Sequence, residues 1–232
     1  MACLSPRTTV LTPSVRGFGG ATGSPREPGW SVGAFALDVL KLLDQQGIER
    51  AVLGGCSMGG YIALEFWRRF PARVAGMILC DTRAEADTAE ARAQRRAQIE
   101  RIRREGTGFL ARSVAENLVS PVTRQKNPGL VQELVAWASE APAESVIGVL
   151  EALAARPDST ETLETVNVPV LLIFGEDDTV TPKECGVHML RRLPQATMEV
   201  IPEAGHLAPI ENPEPVNSAI VDFLETLAAN RR

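Results

Sequence analysis

The stretch "LGGCSMGG", residues 53–60, joins an apolar run, "RAVLGGC", to a helix pattern, "GGYIALEFWRRF", with no loop between them. Glycine weakens strand and helix alike, so four of them in eight residues mark a backbone forced along a tight path. A strand that turns straight into a helix strains the residue at the bend and leaves room only for small neighbours. Ser57 is expected at that bend, with Gly55 and Gly59 as the small residues around it. The bend would lift the Ser57 hydroxyl above the carboxyl edge of a sheet. The backbone N–H of Met58 would open toward it at the helix N-terminus, where partial positive charge favours an oxyanion. A phosphate loop would need G-x-x-x-x-G-K-[ST] or G-x-G-x-x-G, and the chain has neither.

The same alternation of strand and helix runs through most of the chain. "RTTVLTP", "RAVLGGC", "VAGMILCDT" and "VPVLLIFGEDD" read as buried parallel strands, and "ATMEVIP" as a weaker fifth. Between them, "SVGAFALDVLKLLDQQG" has a Ser31 cap, Phe35, Val39, Leu42 and Leu43 near helical spacing, and a stop at Gly47. In "GYIALEFWRRFP", Ile62, Phe66 and Phe70 recur every four residues before Pro71. Such alternation implies an α/β fold with a mostly parallel, doubly wound sheet. Residues 83–165 break the rhythm: helix formers dominate and no strand-like run appears, so a helical insertion is expected there. Within it, Val131, Leu134 and Trp137 at helical spacing read as packing residues. The expected organisation is a first core part over residues 1–82, a helical cap over 83–165, and a second core part over 166–232.

Composition narrows the function classes. With 232 residues, 44% of them hydrophobic, the chain has enough apolar material for a sizeable core. A net charge of −5 argues against nucleic acid. The Arg-rich residues 91–106 are interleaved with glutamates, as on a solvated helix face. Cys3, Cys56, Cys80 and Cys185 form no C-x-x-C pair and no metal-like cluster with the two histidines. No apolar segment is long enough to span a bilayer, and the first residues lack a signal-peptide core. These features point to a cytoplasmic protein with no membrane partner, no metal and no cofactor.

A serine hydroxyl is a poor nucleophile at neutral pH and needs a base. His188 lies in "KECGVHMLRRLP", a helix pattern, where a partly exposed histidine is the ordinary expectation. His206 lies in "PEAGHLAPIENPE", directly after the last strand, on a loop projecting from the same sheet edge as Ser57, and is the favoured base. An acid should end an intervening strand. "VLLIFGEDDTVTP" offers Glu176, Asp177 and Asp178, one of which is expected to cap the turn that follows, and "GMILCDT" offers Asp81 as runner-up. Cys56, just before the bend, is expected to face the sheet packing.

"GCSMG", the later acids and "GHLAPIENPE", in the order Ser, acid, His, resemble the α/β-hydrolase superfamily over nearly the whole chain. The resemblance implies Ser57 as nucleophile, His206 as base and Asp178 as acid, with residues 83–165 as the cap over the site. "CSMGG" is similar to the elbows of 3-oxoadipate enol-lactonases, of cofactor-free haloperoxidases and perhydrolases, and of small carboxylesterases, without choosing among them. The implied activity is hydrolysis of a small carboxylic ester or lactone through an acyl-enzyme.

Two departures follow from the same resemblance. "PSVRGFG" has Ser14 where the family usually has aspartate. The family also places three strands before the one resembling "TTVLTP", the third ending in a His-Gly loop that donates the second oxyanion N–H. The expectation is therefore that "TTVL" moves into the vacant slot beside "AVLGG", with a donor from residues 17–20. A further expectation is that the chain begins late within a longer parent. Without the missing strands it would be marginal, aggregation-prone or dependent on a second copy, which keeps a homo-oligomer open. Losing one oxyanion donor typically costs ~10²–10³ in rate, so a catalytically weak or inactive ligand-binding protein of the same fold is the alternative function.

Overall fold

The computed structural model describes residues 8–19 and 29–229. The longest apolar runs form its centre: β2 and β3 below are buried at every residue, as expected of inner strands covered on both faces. The sheet comprises β1 (Ala51–Cys56), β2 (Val74–Cys80), β3 (Val170–Gly175) and β4 (Ala196–Ile201), paired in that order and parallel throughout. The strand period of two sends Met77, Leu79, Val170, Leu172 and Phe174 into one core layer. Ile78, Cys80, Leu171 and Ile173 enter the opposite layer.

The first layer is covered by α1 (Val32–Gln45) and α2 (Met58–Arg69), through Phe35, Leu43, Leu64 and Phe66. Ser31 caps α1 by accepting from the Ala34 N–H at 3.0 Å, and Gly47, at φ 66°, lies just beyond its end. Between β2 and β3 come only helices: α3 (Ala89–Glu105), α4 (Gly108–Asn117), α5 (Pro121–Lys126), α6 (Pro128–Glu140), α7 (Ala143–Ala154) and α8 (Thr160–Leu163). Ile99 and Ile102 of α3 pack with Ile147 and Leu150 of α7 as a separate small core. Most arginines of α3 face outward, where Arg101 pairs with Glu105 and Arg103 with Glu100, while Arg95 turns to the buried Asp87. After β3 come α9 (Lys183–Leu190), then β4, α10 (Ala208–Glu211) and α11 (Pro213–Ala229), whose Val216, Ile220 and Phe223 cover the second layer.

Two expectations are corrected. Residues 8–13 form no strand, and β2 is the sole strand partner of β1 among the described residues, so "TTVL" does not fill a slot beside "AVLGG". A β-branched run becomes a strand only against a ladder that pairs its N–H and C=O groups; here Thr8, Thr9 and Leu11 are exposed instead. The loop that follows is tied to α1 and α7: Arg16 forms a double hydrogen bond with Asp38, and Ser145 donates to the Gly17 carbonyl at 2.7 Å. The second correction is Trp137, which is 54% exposed; of the expected packing group only Leu134 is buried. Residues 1–7, with Cys3, and Gly20 lie outside the described residues. Among those described, no helix is long and apolar enough to cross a membrane.

Candidate active site

Ser57 connects β1 to α2 with φ 51° and ψ −111°, a conformation that a side chain rarely adopts and that tertiary contacts must hold. Its N–H donates to the Cys80 carbonyl at 2.9 Å, and its carbonyl accepts from the Thr82 hydroxyl at 2.8 Å, so the end of β2 clamps the bend from both sides. The glycines divide the steric work unevenly. A Cβ on Gly55 would lie 2.2 Å from the Gly59 carbonyl carbon, and one on Gly60 would lie 2.5 Å from the Thr82 side chain. A Cβ on Gly59 would meet nothing within 4 Å. Gly55 thus answers to the tight path as expected; Gly59 contributes its backbone, and Gly60 is the second position with no room. Met58 opens α2, where a backbone N–H has no intrahelical acceptor.

The carboxyl edge of the sheet gathers the other candidates, because each lies shortly after a strand. His206, five residues beyond β4, places Nε2 2.7 Å from Ser57 Oγ. Asp178, three residues beyond β3, places Oδ2 2.9 Å from His206 Nδ1. Both are nearly inaccessible, His206 at 3% and Asp178 at 5% exposure. With the carboxylate accepting, His206 carries its proton on Nδ1 and offers an Nε2 lone pair to the serine hydroxyl. Asp178 Oδ1 accepts from the N–H groups of Val180 and Thr181, at 2.7 and 3.0 Å. Thr181 Oγ1 donates to Asp178 Oδ2 at 2.6 Å and stands 3.2 Å from His206 Nδ1. Burial works to raise the Asp178 carboxyl, but hydrogen bonds from His206 and Thr181 outweigh it and hold the group below its usual range.

The competing residues have other partners. Asp81 is wholly buried and touches neither His206 nor Ser57 through a hydrogen bond; its oxygens accept from the N–H groups of Gly175, at 2.8 Å, and Ala208, at 3.2 Å. Burial raises its carboxyl to about 8 against those two bonds, with Asp178 adding to the rise. His188, on α9, pairs through Nδ1 with Glu85. Glu176 and Asp177 are exposed, so the acid that caps the turn and the acid that faces the histidine are one residue, Asp178. Cys56 packs with the second layer, and its thiol donates to the His206 carbonyl at 3.7 Å; burial pushes that thiol well above its ordinary value. A thiol held that way is a poor nucleophile.

The family model described as the alpha/beta hydrolase fold matches residues 1–213. The chain belongs to the α/β-hydrolase family. Among its relatives, 3-oxoadipate enol-lactonase 2 of Acinetobacter baylyi is 31% identical over 211 residues, 91% of this chain and 76% of that enzyme. A thermophilic esterase from Thermogutta terrifontis superposes with a TM-score of 0.88 at 40% identity, covering 93% of this chain and 79% of the other. The enol-lactonase of Burkholderia xenovorans LB400 gives 0.81 at 25% identity, covering 91% and 78%. The α/β-hydrolase reading of the sequence, in both fold and family, therefore stands.

Two residues at this edge were not singled out in the sequence. Thr181 sits inside "DDTVTP" and Glu211 inside "HLAPIENPE", and neither spacing carries a helical or strand period that would point to them. An open groove of about 790 Å³ lies at the opposite, amino edge of the sheet. Part of its polar lining is engaged within the chain: Arg50 donates to the Val74 carbonyl, and Trp67 to Thr165 Oγ1. Among the described residues, no group of three or more His, Cys, Asp or Glu is disposed to hold a metal ion.

Proposed function

We propose that this α/β-hydrolase cleaves a small carboxylic ester or lactone through an acyl-enzyme on Ser57. The observation that carries the reading is the continuous chain from Asp178 through His206 to Ser57, with links of 2.9 and 2.7 Å. Ser57 Oγ attacks the carbonyl carbon while its proton passes to His206 Nε2. The oxyanion of the tetrahedral intermediate is met by the Met58 N–H at the start of α2. Collapse expels the alcohol, which takes the proton from Nε2, and leaves the acyl group on Ser57. In a lactone the expelled hydroxyl stays attached to the acyl chain. Water, deprotonated by the same nitrogen, then releases the acid and restores the serine. Asp178 keeps the proton of His206 on Nδ1 and stabilises the imidazolium.

The helices of residues 83–165 serve in this reading as a cap that shapes the acyl pocket and excludes water. Names among the relatives support the substrate class: an enol-lactonase acts on a lactone and an esterase on an ester. The test is a fluorophosphonate probe followed by peptide mapping, with p-nitrophenyl acetate turnover alongside. Wild type should label at Ser57. Ser57→Ala and His206→Ala should abolish turnover, and His188→Ala should leave it within a few-fold. A folded wild-type protein that neither labels nor turns over would replace this reading with that of an inactive ligand-binding member of the fold.

A further inference from the structure

One carboxylate links the helical insertion to both sides of His206. Glu211 Oε1 accepts from the N–H of Gly205 at 2.9 Å and from that of Leu207 at 3.1 Å, the two residues flanking the histidine. Its other oxygen, Oε2, accepts from the Ser120 N–H at 2.7 Å and from the Thr123 hydroxyl at 2.8 Å, at the start of α5. The two bonds to Oε1 are local, whereas those from Ser120 and Thr123 come from 91 and 88 residues away in the chain. A second contact welds the same two segments without Glu211. A Cβ on Gly205 would lie 2.7 Å from the Ser120 nitrogen and 2.9 Å from the Val119 carbonyl carbon, so backbone packs directly on backbone. Ser120 Oγ also donates to the Glu203 carbonyl at 2.8 Å, where the chain takes a left-handed φ of 58°.

We infer that Glu211 is a positioning residue that sets His206 against Ser57 and ties that alignment to the seating of the helical insertion. The inference rests on the proposed role of His206 as the base. Its physical reason is the donor count. The N–H groups of Gly205 and Leu207 belong to the peptide planes on either side of the imidazole, and one acceptor that reaches both fixes the backbone that carries the ring, while Asp178 holds its Nδ1. The second oxygen spends its lone pairs on Ser120 and Thr123, so a shift of α5 is passed through a rigid carboxylate to the histidine loop. A carboxamide has one acceptor atom and one donor atom, so in Glu211→Gln an NH₂ group must face two donors, on the histidine side or on the α5 side.

The readout is the second-order rate and the final stoichiometry of fluorophosphonate labelling at Ser57. Glu211→Gln should label to full stoichiometry at least tenfold more slowly, with kcat for p-nitrophenyl acetate falling in step and KM within threefold. Thr123→Val, which removes one donor on the insertion side and touches none of Ser57, His206 or Asp178, should slow labelling three- to tenfold. Thr123→Ser should restore the wild-type rate. Lys126→Ala, which removes an exposed ion pair from the same segment, should stay within twofold. Wild-type rates in Glu211→Gln and Thr123→Val would overturn the inference, as would a loss of stoichiometry at an unchanged rate, which marks a merely structural role. If Glu211→Gln does not fold, the Thr123 pair decides alone. A wild type that labels elsewhere than Ser57 overturns the nucleophile reading itself, a result distinguishable because it precedes any variant.

Discussion

Replacing Gly55 by alanine is the sharpest probe of the bend between β1 and α2. The added Cβ would lie 2.2 Å from the Gly59 carbonyl carbon, 2.3 Å from its oxygen and 2.7 Å from the Gly60 nitrogen. All three are backbone atoms, so no rotamer change relieves the overlap. Ordinary contact begins near 3.4 Å, so strand and helix must part by roughly 1 Å. Overpacking of this kind costs about 1–3 kcal/mol, which in a chain of this size lowers Tm by roughly 2–12 °C. The same displacement moves Ser57 away from a histidine only 2.7 Å distant, and a 1 Å misplacement costs on the order of 10²-fold in rate. Two controls sit beside it. Cβ atoms on Gly54 and Gly59 would meet nothing within 4 Å, so Gly54→Ala should change neither property. Gly59→Ala should raise Tm by ~2–4 °C through helix propensity worth about 1 kcal/mol. Thermal melts and fluorophosphonate labelling rates on the three variants decide the matter. A Gly55→Ala protein that melts and labels like wild type, or a Gly54→Ala protein equally damaged, would refute the reasoning.

Asp178→Asn should cut turnover of p-nitrophenyl acetate by roughly 10³–10⁴, because the amide no longer selects the Nδ1–H tautomer, while Asp81→Asn should stay within tenfold. Steady-state kinetics on both variants checks this. Asp81→Asn should instead lower Tm, since its NH₂ group meets the donor of either Gly175 or Ala208. The pH dependence of stability should separate the two acids. Asp81 has a folded value near 8 against an ordinary 3.8, so between these limits the folded state binds more protons than the unfolded one. Its contribution is fully present below pH 3.8 and is lost as pH rises through about 8. The difference in urea midpoint between wild type and Asp81→Asn should therefore shrink over that window. Asp178, held below its ordinary value, behaves oppositely: its contribution is present above the ordinary carboxylate pKa and lost as pH falls through the lower folded one. Urea midpoints of wild type and Asp178→Asn should converge on the acid side.

The fold was legible wherever burial on both faces wrote a continuous apolar run. "VAGMILC" and "VLLIFG" became β2 and β3, and the absence of any such run across residues 83–165 marked the helical stretch between them. Legibility failed where an element depends on a neighbour. Residues 8–13 carry the composition of a strand, yet a strand is defined by the ladder beside it, and no composition states whether that ladder exists. Trp137 failed for a related reason: helical spacing shows which residues share a face, but whether another element covers that face is a tertiary fact.

The site divides along the same line. Ser57 was readable because a strand that meets a helix without a loop has one place to bend, and His206 because it follows the last strand directly. Asp178 was readable as one of three adjacent acids; its burial against Thr181 and His206 sets it apart from the exposed Glu176 and Asp177. Glu211 was not readable at all. Its four donors come from residues 120, 123, 205 and 207, and only the last two are near it in the chain. A free surface glutamate and a half-buried acceptor for four donors look alike in sequence, because what distinguishes them is the set of N–H and O–H groups that folding brings to the carboxylate. The residues proposed to react lie at strand ends and follow the topology; the residue proposed to hold them answers to contacts between segments, here between α5 and the histidine loop, where a sequence reading is weakest.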